Sequence, residues 1–191
     1  MTRLARLRPS ELDADQADLY SEIAEGPRAQ GPQHFALRDD EGGLLGPFNA
    51  FLLSPTLGRS LQALGAAVRF STALTPRIRE LAILIVAAHW GSTFERDAHE
   101  SVGRAIGLSD EELTAVRHDR VPETLNATEL AAVHVIRALA SGDIDDAEWK
   151  RWATALGNST VFELSTLVGY YSTLALQLRV FRVDSKESTE S

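Results

Sequence analysis

The feature that most constrains this chain is the stretch PRIRELAILIVAAHW at 76–90. Thr75 can cap its start, Pro76 suits a first helical position, and Gly91 suits a helix end. Between those signals lies a helix that is apolar almost all round. Such a helix cannot rest on a surface with one wet face, so it predicts a central element surrounded by others. Its longest apolar run, 81–88, is far short of the roughly 20 residues that span a bilayer.

The other segments predict helices to surround it. Residues 10–25 read as an amphipathic helix with Ser10 as N-cap. Residues 26–46 are rich in Gly, Pro and charge and read as a long loop, a feature often tied to function. Pro47 and Pro55 bracket a short apolar turn or helix, and a helix follows over 55–71 with Leu57, Leu61, Leu64, Ala67 and Val68 as its stripe. A helix from Thr93 ends at Gly107. Ser109 with Glu112 forms a capping box for a short helix. Asn126 or Thr128 starts the next, 143–156 holds another that Gly157 stops, and a long, mostly apolar helix covers 160–182. No strand-like alternation of any length appears. The expectation is an all-α fold with an N-terminal helix and loop (1–45), a helical domain (46–183) and a polar tail (184–191); residues 1–9 also read as a polar tail. Two helices, 76–90 and 160–182, are more apolar than one small bundle hides easily, which predicts a homo-oligomer.

Of 191 residues none is cysteine, and the net charge is -8. The first excludes disulfides, thiolate metal sites, iron–sulfur clusters and dithiol redox chemistry. The second argues against nucleic acid or anionic membrane as a partner. A charged N-terminus without an apolar signal core and the lack of disulfides point to the cytoplasm.

Polar residues inside apolar helices are the informative ones, because burying an unpaired charge is costly. Glu80 opens the most apolar helix, and His89 and Trp90 close it. Glu95 and His99 follow, four apart and therefore on one helix face. A carboxylate beside an imidazole fixes its tautomer, the basis of an acid–base pair. Each has a plainer reading. A Glu and a His four apart often form a surface pair. His89 suits a helix C-terminus, and Glu80 and Glu163 suit first turns. Asn49 between two Phe residues reads as a turn residue. His34 and His118 read as solvated, and His134 as a satisfied core histidine. GxGxxG, Walker, GxSxG and HExxH motifs are absent. The set His89, Glu95 and His99 is the composition of a two-His-one-carboxylate site, but no spacing compels a metal.

Read in order, GPFNAFLLSP (46–55), LQALGAAVRFSTALTPRIRELAILIVAAHW (61–90), FERDAHESVGRAIGLS (94–109) and VFELSTLVGYYSTLALQLRVFRV (161–183) resemble the carboxymuconolactone decarboxylase family. A redox branch of that family, similar to alkylhydroperoxidase D, carries Glu, eleven residues, Cys, two residues, Cys, three residues, His. On this chain the pattern falls on Glu80, Ser92, Glu95 and His99. The Glu and His match and neither cysteine does, so thiol peroxidase chemistry is excluded. The decarboxylase branch shows an aromatic-Glu-Trp segment followed by His; Phe94, Glu95 and His99 fit, while Arg96 replaces the Trp.

The resemblance implies an alkylhydroperoxidase-D-like helical bundle with a central antiparallel helix pair, assembled as a trimer or hexamer. It also implies a pocket at the motif Glu and His, and a cofactor-free, metal-free lyase of aromatic catabolism. In that chemistry a small carboxylated lactone or related acid loses carbon dioxide, charge spreads into the conjugated ring, and a proton is delivered. His99 is the expected proton donor, Glu95 its orienting or paired base, and His89, Asn49, Glu80 and Arg96 the expected substrate contacts. Another cofactor-free acid–base enzyme (isomerase, cyclase or dehydratase) and a non-catalytic ligand-binding oligomer remain open alternatives.

Overall fold

The computed structural model describes residues 2–26 and 35–183. Ten α-helices and no β-strand occur among them: α1 (Ala14–Ala24), α2 (Pro47–Phe51), α3 (Pro55–Phe70), α4 (Pro76–Trp90), α5 (Thr93–Ala105), α6 (Asp110–Arg117), α7 (Ala127–Ala140), α8 (Asp146–Glu148), α9 (Thr154–Leu156) and α10 (Asn158–Phe181). The sheet-free, all-α expectation holds. One isolated antiparallel bridge, Arg38 to Leu44, ties the irregular segment before α2.

The ends of the central helix follow their local chemistry. Thr75 accepts a hydrogen bond from the Ile78 amide, Pro76 opens α4, and Gly91 closes it with φ 63°. Every residue from Glu80 to Ala87 is buried, and α10, α5, α7 and α6 pack around the helix. The apolar stretch of α4 is thus largely buried within the chain. α10 differs, because Phe162 (71% exposed), Leu176 and Val180 stay on its outer side, as do Leu57 and Phe70 on α3.

Two boundaries depart from expectation. Ser10 does not cap α1; residues 9–11 form a 3-10 turn, and Asp13 is the cap, accepting from the Gln16 amide. The helix expected over 143–156 is split by a π-helical segment, Trp149–Ala153, between α8 and α9. The N-terminal residues also do not form a free tail. The Arg3 amide donates to the Phe181 carbonyl at 2.8 Å. Asn49, buried on α2, accepts from the Leu7 amide and donates to the Ala5 carbonyl, both at 3.0 Å. A 2.7 Å ion pair from Arg6 to Asp39 fastens the same strip to the segment before α2. His34 and the tail at 184–191 lie outside the described residues.

Candidate functional site

Three ionisable side chains lie buried where α4 and α5 meet: Glu80 (1% exposed), Glu95 (3%) and His99 (5%). The i,i+4 arithmetic places Glu95 and His99 on one face of α5, but they are not a hydrogen-bonded pair. His99 Nδ1 instead lies 2.6 Å from Glu80 Oε2, across to α4. The ring is held edge-on by Tyr171 of α10, at a centroid distance of 5.4 Å, and flanked by Phe35 at 6.2 Å. With Nδ1 engaged by a carboxylate, Nε2 is the nitrogen left for chemistry.

The electrostatics of the two carboxylates are opposite. Burial alone would push Glu80 up, but the His99 ring, with Arg69 and Arg79, holds its carboxyl below the usual value. Arg79 Nε stands 3.9 Å from Glu80 Oε1. Glu95 has no such company. Neither of its oxygens has a hydrogen-bond partner among the described residues, and nearby Ser92 Oγ likewise makes no bond of normal geometry. Burial pushes the Glu95 carboxyl up to about 8, and Ser92 offsets only part of that. At neutral pH Glu95 is therefore mainly the uncharged acid, able to donate a proton or a hydrogen bond.

Glu95 and His99 share a cavity of about 30 Å³ with Arg69, Phe35, Phe48 and Tyr171. That volume accommodates about a water molecule, not a ring. A ring-sized ligand enters only by displacing side chains of the wall. Gly46, at φ 60°, helps shape it: a Cβ there would run into the Phe94 ring, which also lines the cavity. Glu80 lies behind His99 and does not reach the cavity wall.

The remaining candidates lie elsewhere. His89 is exposed at the end of α4, in a separate open cleft of about 300 Å³ with His134 and Arg137. Both polar atoms of Asn49 are engaged by the N-terminal strip. Arg96 Nε donates to Asp97 at 2.9 Å, and its side chain lines a different recess with Arg117. His134 is half-buried, stacked on Trp152 at 4.1 Å, and His118 is on the surface. Among the described residues no group of three His, Asp or Glu side chains is arranged to hold a metal, and no helix is long and apolar enough to cross a membrane. Sequence reasoning missed Arg69, Phe35, Phe48 and Tyr171. Arg69 sits in the last turn of an ordinary amphipathic helix, and nothing local sets it apart.

A sheet-free helical bundle with a buried Glu–His pair at the junction of two helices defines the class. Residues 55–138 match the carboxymuconolactone decarboxylase family. No curated protein matches the chain. Two solved structures share the fold. One, from Agrobacterium tumefaciens, is a protein of unknown function described as a putative antioxidant defence protein AhpD; it is 20% identical, with a TM-score of 0.64, covering 72% of this chain and 95% of its own. The other is a Cys-to-Ala variant of the debrominase Bmp8 in complex with 2,3,4-tribromopyrrole; it is 10% identical, with a TM-score of 0.72, covering 97% of this chain and 93% of its own. At these identities the likeness is one of fold.

Proposed function

We propose that this protein is a cofactor-free acid–base enzyme of the decarboxylase type, acting on a small carboxylated lactone or a related acid. The observation that carries the reading is the 2.6 Å contact from Glu80 to His99 Nδ1, beside a cavity where neither oxygen of Glu95 has a hydrogen bond of normal geometry among the described residues. A buried carboxyl group left without a hydrogen bond costs about 1–3 kcal/mol. Structure alone has no use for that cost, whereas an acid that must keep its proton near pH 7 does. The family match over 55–138 supports enzymatic activity in general.

In the proposed reaction the carbon–carbon bond to the substrate carboxylate breaks and carbon dioxide leaves. The electron pair passes into the conjugated ring carbonyl. Neutral Glu95 donates a hydrogen bond to the oxygen that gains charge, and His99 Nε2 delivers the proton to carbon. Glu80 performs the orienting task expected of Glu95. The dry walls around Phe35 and Phe48 favour loss of the carboxylate charge as carbon dioxide. We further propose a homo-oligomer joined through the exposed apolar residues of α3 and α10, and a cytoplasmic location.

The test is carbon dioxide release from carboxymuconolactone and related vinylogous acids, with His99→Asn and Glu95→Gln alongside the wild type. Folding is checked by circular dichroism. Turnover should fall by about 10²–10⁴ in each variant. Two folded variants that keep wild-type turnover sink the assignment. Product formed without carbon dioxide would point to an isomerase, cyclase or dehydratase using the same groups.

A further inference from the structure

We infer that Arg69 is the side chain that recognises an anionic group, a carboxylate, on the ligand of this cavity. The inference rests on the acid–base reading above and adds to it the residue that reads substrate charge.

Among the described residues, Arg69, Glu95 and His99 are the charged or ionisable side chains, tyrosines apart, that line the cavity. Glu80 behind His99 balances that ring whenever it is protonated. Glu95 keeps its proton at neutral pH. The positive charge of Arg69 therefore has no carboxylate within ion-pair distance among the described residues; its guanidinium instead stands 5.6 Å from the Phe70 ring centroid. Its charge is felt at Glu80, ahead of that of Arg79, but the single charge of Glu80 is already engaged by His99 at 2.6 Å and by Arg79 at 3.9 Å. The wall thus carries one unmatched positive charge on a planar, two-pronged donor, which fits a carboxylate better than any neutral group. An arginine in the last turn of α3 also suits the helix dipole. The dipole explains a cation at that position but not its place on the cavity wall. Arg96, one of the substrate contacts expected from the sequence, faces Asp97 and another recess.

The test uses benzoate and its neutral isostere benzamide as probes. Affinities come from titration calorimetry, and the place of binding from the His99 side-chain nitrogen shifts. Wild-type protein should bind benzoate at least about tenfold more tightly than benzamide, with His99 shifts. In Arg69→Gln the benzoate affinity should fall by about tenfold or more while benzamide is unchanged. Arg69→Lys, which keeps the charge without the fork, should fall between. Equal wild-type affinity for the two probes overturns the inference without any variant. If benzoate shifts His99 but ignores Arg69→Gln, the inference fails and the acid–base site stands. If neither probe moves His99, both fail.

Discussion

Among the described residues five glutamates are buried; Glu100 is paired with Arg117, and the other four form two clusters that are handled in opposite ways. Arg77, at the start of α4, donates to Glu112 at 2.6 Å, to Glu129 at 2.7 Å and to the Gly107 carbonyl at 2.6 Å. The free positions on those carboxylates are filled by Thr124, the Ser109 amide and the Asn126 amide. Each acid there also closes a capping box for its own helix. At the other cluster Glu80 has His99, but neither oxygen of Glu95 has a hydrogen bond of normal geometry among the described residues. A clasp that joins α4, α6 and α7 has every reason to be complete, since an unpaired buried charge weakens the fold. A site for proton transfer has reason to be incomplete, because a group already bonded on every side cannot bond a substrate.

The comparison breaks most sharply in kinetics. Replacing His99 or Glu95 should lower turnover by about 10²–10⁴. Arg77→Ala should leave turnover per folded molecule within about threefold, because nothing in the clasp touches the cavity. The same variant should reverse the order in stability. It strands Glu112 and Glu129, and discounting the usual 3–5 kcal/mol for the partial exposure of Arg77, denaturant unfolding should show a loss of about 3 kcal/mol.

The pH dependence sharpens the contrast, since the clusters slope in opposite directions. Glu112 is pushed up by burial, but the Arg77 bonds and the Ser109 amide more than reverse this and hold it below its ordinary value. Its stabilisation is present above the unfolded value near 4.5 and is lost as pH falls through the lower folded value. Glu95, raised to about 8 from 4.5, behaves the other way. Its contribution is complete below about 4.5, and stability declines as pH rises from there through about 8, at up to about 1.4 kcal/mol per pH unit. Glu95→Gln removes the proton that must be retained. It should flatten that slope and gain on the wild type by roughly 4 kcal/mol between about pH 4.5 and pH 8, even as it removes activity. A variant with the wild-type slope would show that Glu95 ionises freely in the folded state.

How much of this was legible in the sequence depends on how far apart the cooperating residues are. Thr75, Ser109 and Asn126 cap their helices as expected, and Gly91 and Gly157 end theirs, because caps are decided within a few residues. The central place of α4 followed from its all-round apolarity. The partner of His99 could not be reached by helical periodicity: Glu80 is 19 residues away, on another helix, and only the angle at which α4 meets α5 brings the two together. The resemblance named both residues as a motif but did not say which groups bond. The engagement of Asn49 was hidden for the same reason, as its partners at Ala5 and Leu7 are more than forty positions away. The π-helical segment at Trp149–Ala153 carries no local signal that distinguishes it from an α-helix.

The smallest expected effect concerns Arg96, a charge that belongs to neither cluster. It is half exposed, and its Nε donates to its neighbour Asp97 across one peptide bond. Such a pair, open to solvent and screened by salt, contributes about 0–1 kcal/mol. Arg96→Gln should therefore shift the unfolding free energy by less than about 0.5 kcal/mol and leave turnover unchanged. That null result has discriminating value, because Arg96 directly follows the unpartnered Glu95 in sequence and stands where the decarboxylase pattern carries a Trp. A loss of turnover with Arg96→Gln, at unchanged stability, would mean that its guanidinium swings round to the cavity when substrate binds. The division between a finished clasp and an open acid–base site would then have to include a third, mobile charge.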